Sequence, residues 1–303
     1  MSFRALFRVA LLTLCTVTFL RGQPASERRY LSAEIANDVF YLPLKTDRYF
    51  TSGLRFEWGK ERSRAVEQLG GNRVVNRRYW RIDQDLFTPN AIDSLDLMPN
   101  DRPFASYLTV SRGFVTTLPG LGLRLRRQWT AGVLGRPSFG GRMQNAFHGM
   151  IDFAEEIPGW VHEVRPDLVL NGLLAVEKDL PLGQYHRFTL ATRARLGTLY
   201  TDFRQEATVT LRPVRLGSDD GLYLRLTAGG HLVGYNATLS GGLLNRDDRY
   251  RGVIRPRRLV VNLGATAGMN ALGLGLEGGV RWLSPEFRGG MEHLWAWFGV
   301  VIR

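Results

Sequence analysis

The stretch "RFTLATRARLG", residues 187 to 197, decides the architecture. In an extended chain Phe188, Leu190, Thr192, Ala194 and Leu196 share one face, and Thr189, Ala191, Arg193, Arg195 and Gly197 share the other, because strand side chains alternate with a period of two. The pattern returns in "LYLRLTAGG", "LGLRLRR" and the final "HLWAWFGVVIR". A soluble sandwich also alternates, so two further details decide. Arginines recur in mid-strand on the polar face, which suits a wet barrel lumen. The opposite face is built from Leu, Ala and Phe, and Trp58, Tyr107, Trp129, Tyr200 and Trp282 gather near strand ends, like the lipid-facing band and aromatic girdles of a membrane barrel. Links such as "TLPG", "DLPLG" and "GSDDG" read as hairpin turns. The expectation is an all-β chain, a transmembrane antiparallel β-barrel of about 12 strands of the bacterial outer-membrane type. Expected strand starts lie near 30, 51, 104, 121, 164, 185, 203, 221, 236, 256, 272 and 291.

The first 24 residues read as a signal peptide and 25–303 as the barrel. Arg4 and Arg8 form a basic head, "VALLTLCTVTFL" an apolar core of the right length, and cleavage is expected between Gly22 and Ala25. The sole cysteine, Cys15, falls inside that segment. A lipoprotein would need small residues before it, where Leu14 stands, so the exported chain uses no disulfide framework. No later stretch approaches the ~20 apolar residues of a spanning helix. The net charge is +12, and Lys45, Lys60 and Lys178 are the only lysines. An arginine-rich exported chain points to anionic lipid or glycolipid in a bilayer, not to nucleic acid.

Two long loops are expected, at 61–103 and 136–163, and long loops usually carry function. Four clusters stand in or beside them: Asn37 and Asp38; "TDRYFTSG" with Asp47, Arg48 and Thr51; "QDLFTP" followed by "DRPFAS" with Asp101 and Arg102; and "MQNAFH" with Gln144 and His148, then Glu155, Glu156 and Trp160. Read singly, each has a plain alternative. Asn-Asp is commonly a turn or cap, "TDRYFTSG" fits a hairpin, Gln144 and His148 fit an i, i+4 pair, and the two glutamates fit solvated loop charge.

In order and register, "ND…TDRYFTSGLRFEW", "QDLFTP", "DRPFASYL" and "GRPSFGGRMQNAFH…GW" resemble the signature of the LpxR-type lipid A 3′-O-deacylases, over residues 32 to 162. The resemblance implies an outer-membrane enzyme with its site at the extracellular rim; a monomer is the expectation, although the sequence does not fix the oligomeric state. It implies a Ca²⁺-dependent esterase that removes the 3′-linked acyloxyacyl chain of lipid A in lipopolysaccharide. By motif, His148 corresponds to the catalytic histidine, Gln144 to its companion, Asn37 and Asp38 to the Asn-Asp pair at the site, and Thr51 to a hydroxyl residue. Asn37, Asp38 and Glu155 are the expected metal ligands, with Glu156 the alternative acid. "DRPFAS" departs from the family's "DRPYAG", bringing in Ser106.

These residue types suit the chemistry. Ester hydrolysis takes a base near neutrality, which His supplies, and Ca²⁺ takes oxygen donors such as Asp38 and Asn37. Arg48, Arg102 and Arg142, with Asp47 and Asp101 beside them, are expected to contact the substrate headgroup, the arginines by gripping phosphates. "MQNAFH" is expected as a short helix or distorted turn after the fourth strand. Two other readings stay open, a phospholipase-type barrel esterase and a non-catalytic barrel serving as a pore or binding protein.

Overall fold

The computed structural model describes residues 27–38, 40, 48–65, 73–90, 92, 96–97, 100–150, 157–216 and 220–303. The segment read as a signal peptide, and Asp47, Glu155 and Glu156, lie outside them. Twelve strands follow in order: β1 Glu27–Asn37, β2 Tyr49–Ala65, β3 Arg73–Thr88, β4 Ala105–Leu118, β5 Leu123–Leu134, β6 Asp167–Leu182, β7 His186–Gly197, β8 Tyr200–Arg215, β9 Gly221–Asn236, β10 Leu259–Ala271, β11 Leu274–Leu283 and β12 His293–Ile302. Each pairs antiparallel with its sequence neighbour, and β1 pairs with β12 to close the barrel. Closure leaves no strand edge unpaired, which a bilayer requires of any sheet that crosses it. No helix among the described residues is long and apolar enough to cross a membrane.

The strand number agrees with the alternation, but two positions differ. The expected loop at 61–103 contains β3. Its sequence, "RVVNRRYWRIDQDLFT", mixes charge and apolar groups on both faces, which hides the period of two. The strand expected at 236 is instead a helical turn, α2 (Ala237–Ser240), capped by the Asn236 side chain, which accepts from Thr238 N at 3.0 Å.

Paired residues across the strands share a face, and the exposed apolar side chains mark the outer one. Ile35, Leu54, Phe56, Ile82, Val110, Leu174, Leu226 and Leu263 are all exposed there. Inside, arginines meet carboxylates of neighbouring strands: Arg55 with Glu34 (3.0 Å) and Asp83 (2.7 Å), Arg193 with Glu206 (3.1 Å), Arg124 with Glu177 (2.7 Å), and Arg195 with Asp202. A polar cavity of about 590 Å³ remains in the lumen. Trp58, Trp129 and Trp282 face outward as expected of a girdle. Tyr107 and Tyr200 do not. They point inward with rings 6.2 Å apart, and the Tyr107 hydroxyl donates to Asp85.

The long connections between β1 and β2, β3 and β4, β5 and β6, β9 and β10, and β11 and β12 leave from one end, which also holds the two-residue link between β7 and β8; the start of β1, the end of β12 and the remaining links belong to the other. Long extracellular loops and short periplasmic turns orient such a barrel, so the loop end faces outward from the cell. That end is roofed by a core of Tyr49, Phe87, Tyr107, Leu239, Tyr250, Phe287 and their neighbours. Such a roof does not suit an open pore.

One inward contact shows how closely the wall is fitted. Tyr79 is fully buried opposite Gly113, and its hydroxyl donates to Gln128 Oε1 at 2.7 Å. A Cβ on Gly113 would lie 2.0 Å from Tyr79 Cζ. Gly113→Ala is therefore expected to displace the ring and destabilise the barrel by about 1–3 kcal/mol, read as a lower temperature for loss of the compact, heat-modifiable form on gel electrophoresis.

Candidate active site

The outer wall carries a row of directly paired residues just below the loop end: Asn37 opposite Ser52, Ser52 opposite Leu86, and Leu86 opposite Ser106. Two positions down each strand, Ile35 and Leu54 are exposed lipid-facing residues, so the row is on the outside of the barrel. Thr51 joins it through a bulge. The β2–β3 register shifts between Phe50 and Ser52, and Thr51 Oγ1 lies 2.8 Å from Thr88 Oγ1, which follows Leu86 on the same outward face. Asp38, 2 % exposed, donates its backbone N–H to Thr51 O (3.3 Å), and its Oδ2 accepts from Arg48 N (2.9 Å). Asn37, Asp38 and Thr51 are thus brought together by two adjacent strand ends.

"MQNAFH" is helical, in α1 (Gly140–Met150), but it follows the fifth strand because β3 was not foreseen. The chain leaves β5 at Gly135, whose N–H bonds Ser106 O at 2.7 Å. It passes a 3₁₀ turn at Arg136–Ser138 and enters α1 through Phe139, a non-glycine residue at φ 62°. The helix is laid against the outer wall. Gly140 sits so close to Ser106 and Leu86 that a Cβ would lie 2.3 Å from Ser106 Cβ, and Gln84 Nε2 donates to Ser138 O at 2.6 Å. On its other side Gly141 rests against the Trp160 ring, and Asn145 Oδ1 accepts from Ile157 N at 3.0 Å.

The expected residues fare differently. Gln144 and His148 share a helix face, one turn apart. Gln144 is buried, and its Oε1 accepts from Trp160 Nε1 at 3.0 Å; this bond fixes its rotamer. His148 is half-buried in the last turn. Arg48 Nη2 donates to Glu292 O at 3.3 Å, and its head lies 5.9 Å from the Tyr49 ring. Arg142 is exposed beside Phe139. Arg102 requires a correction: it is 1 % exposed, paired with Glu286, donating to Thr238 Oγ1 at 2.9 Å and seated 4.2 Å from the Phe87 ring centroid. It bolts three loops together and presents no charge to a phosphate. Burial alone would raise the Glu286 carboxyl, but Arg102 holds it below its ordinary range. Asp101 likewise serves its loop, accepting from Asn90 N and Arg102 N, both at 2.7 Å.

A carboxylate not anticipated from the sequence stands beside the helix. Glu163 Oε1 accepts from Ser106 Oγ at 2.5 Å, and Ser106 Oγ lies 2.5 Å from Ser138 Oγ. Ser106, the departure in "DRPFAS", thus ties the wall to both ends of the α1 segment. Burial pushes the Glu163 carboxyl up to about 7, against the lowering effect of the Ser106 hydrogen bonds.

Among the described residues no three His, Cys, Asp or Glu side chains converge. Asn37 and Asp38 are hard-oxygen donors of the kind Ca²⁺ takes, so the donor type fits. Two are fewer than a calcium shell needs, and Glu155 lies outside the described residues.

The family model for outer membrane protein LpxR matches residues 6–302. The chain belongs to the LpxR family. It is an outer-membrane protein, of the family whose motif order pointed to lipid A. The solved LpxR from Salmonella typhimurium shares the fold, with a TM-score of 0.75 at 18 % identity, over 90 % of this chain and 99 % of that one. The β domain of the Bordetella autotransporter BrkA reaches a TM-score of 0.49 at 9 % identity, over 91 % and 99 % of the two chains. No curated protein matches the chain in sequence.

Glu163 makes the helix anchor pH-dependent. Its folded value lies above the unfolded 4.5, so its contribution is fully present below pH 4.5 and is lost as pH rises towards about 7. Protection factors of the α1 amides, corrected for the intrinsic rise of exchange with pH, are expected to fall across that window in the wild type. In Glu163→Gln the protection factors should stay level across the same window.

Proposed function

We propose that this LpxR-family protein is a Ca²⁺-dependent lipid A 3′-O-deacylase. The observation that carries the reading is where the site faces. Asn37, Ser52, Thr51 and Thr88 are on the lipid side of the wall, and α1 lies over the adjoining strands. Beneath them runs an apolar groove of about 730 Å³, lined by Ile35, Leu54, Phe56, Ile82, Leu108, Phe298 and their neighbours. An ester whose acyl chains are dissolved in the outer leaflet reaches such a site sideways, with its chains along the groove and its headgroup at the rim. Phe139 and Phe147, 54 % and 53 % exposed on and beside α1, suit contact with lipid at that level.

In the mechanism that follows, His148 takes a proton from water, which attacks the ester carbonyl carbon. The tetrahedral intermediate collapses by breaking the bond to the sugar oxygen, and that oxygen recovers the proton from His148. The products are the free acyloxyacyl acid and a sugar 3′-hydroxyl. Gln144, held by Trp160, positions the helix face that carries His148. In this reading Thr51, whose hydroxyl lies 2.8 Å from that of Thr88, is assigned an orienting role, with water rather than Thr51 as the nucleophile. Asn37 and Asp38 would hold Ca²⁺, which when bound supplies positive charge to the developing oxyanion. Arg48 and Arg142 at the rim are the proposed phosphate contacts.

The test is mass spectrometry of lipid A after incubation with the protein in mixed micelles. The wild type should release the 3′-acyloxyacyl chain, and His148→Ala should lower the rate about 10²–10⁴-fold without altering heat-modifiable folding. Unchanged lipid A alongside phospholipid breakdown would sink the assignment. Excess chelator should abolish turnover, with recovery on adding Ca²⁺; full activity in chelator would remove the metal from the mechanism.

A further inference from the structure

The outer wall is not evenly apolar. At the paired outward positions of β7 to β12 there is no arginine or lysine. On β1 to β5 the outward face carries Arg29, Lys60, Arg62, Arg78, Arg112 and Arg127. Glu27 neutralises part of this set, through Lys60 at 3.0 Å and Arg62.

Three of these arginines surround one ring. Phe114 pairs with Arg78 on one side and Arg127 on the other. Arg112, two positions away on the same strand face, places its guanidinium 5.4 Å from the Phe114 centroid and 4.9 Å from that of Trp80; Arg127 lies 5.3 Å from Phe114. Trp80 and Trp129 flank Arg112 across the strands, 44 % and 68 % exposed. Among the described residues no carboxylate pairs with Arg78, Arg112 or Arg127, whereas most arginines of the lumen wall meet one. Cations this close on one face repel unless an anion stands between them.

Their depth points to the source of that anion. Arg78 is eight residues from Leu86 along β3, about 26 Å along the strand at 3.3 Å per residue. With the usual tilt of ~40° this is about 20 Å of depth, close to the height of a barrel's apolar band. The cluster is therefore at the lower edge of that band, toward the end with the strand termini, far from the rim site.

We propose that Arg78, Arg112 and Arg127 form a binding site for the phosphate of an anionic glycerophospholipid in the periplasm-facing leaflet. The guanidinium groups receive the phosphate oxygens by charge-assisted hydrogen bonds. Trp80, Phe114 and Trp129 keep the guanidinium planes stacked and cover the upper part of the lipid chains. The site is separate from the ester chemistry and does not depend on it.

Native mass spectrometry of the full-length protein, exposed to equal amounts of phosphatidylglycerol and phosphatidylcholine, tests this. Retained phosphatidylglycerol should exceed phosphatidylcholine on the order of a hundredfold, given ~1 kcal/mol for each of the three basic residues at an anionic lipid surface. The triple variant Arg78→Gln, Arg112→Gln, Arg127→Gln should lose that preference while keeping its heat-modifiable folded form, and Lys178→Gln should keep the preference. If the triple variant does not fold, the three single variants replace it, each expected to weaken the preference several-fold. Equal retention of the two lipids by the wild type, or an unchanged preference in the variants, would overturn the proposal. So would displacement of phosphatidylglycerol by inorganic phosphate alone, or preferred retention of lipid A at these arginines.

Discussion

Everything in this protein depends on the hydrogen-bonded closure of β1 onto β12. In a bilayer an unpaired backbone group has no solvent to satisfy it, so the sheet closes on itself. Closure with a fixed register then assigns every wall residue to lipid or lumen, since a slip of one residue would reverse all of them. Arg193 and Arg195 can lie in the wall because register sends them inward to Glu206 and Asp202. The same register sends Asn37 and Ser52 outward, and this distinguishes a site opening to lipid from one opening to the lumen.

The helix α1 is the second device. It is short and polar enough that isolated it would be marginal, and it is held in place by its surroundings. Two glycines let it approach Ser106 and Trp160 closely, and Gln144 and Asn145 are bonded to the 157–160 segment. The wall supplies a rigid floor and the loop supplies the residue proposed as base. The buried pair of Arg102 and Glu286, with Thr238, ties the neighbouring loops into one roof, so the rim beside the helix is a fixed surface.

Much of this was legible beforehand. The strand number, the barrel class and the inward arginines follow from alternation, because a strand wet on one side and lipid-covered on the other must alternate. Asn37, Asp38, Thr51 and His148 were picked out by motif order and do lie at the loop end, with the first three adjoining one another. β3 was missed because its inward face carries Tyr79 and Phe87 while its outward face carries Arg78 and Gln84, so neither face looks uniform. Arg102 was misjudged because a sequence does not say whether an arginine has an internal partner; Glu286 is 184 residues away. Glu163 had no signal at all, since its significance comes from Ser106, 57 residues earlier.

The sequence by itself determined that this chain is a lipid-embedded strand protein, and which short motifs belong together, because periodicity and motif order are properties of neighbours along the chain. Only the tertiary structure decided that Asn37 and Ser52 are on the lipid side of the wall, that Gln144 is held by Trp160, and that Arg102 is internal while Arg78, Arg112 and Arg127 meet around Phe114. Those facts depend on register between strands and on contacts between distant loops. Such contacts are settled when the barrel closes, and no local pattern encodes them.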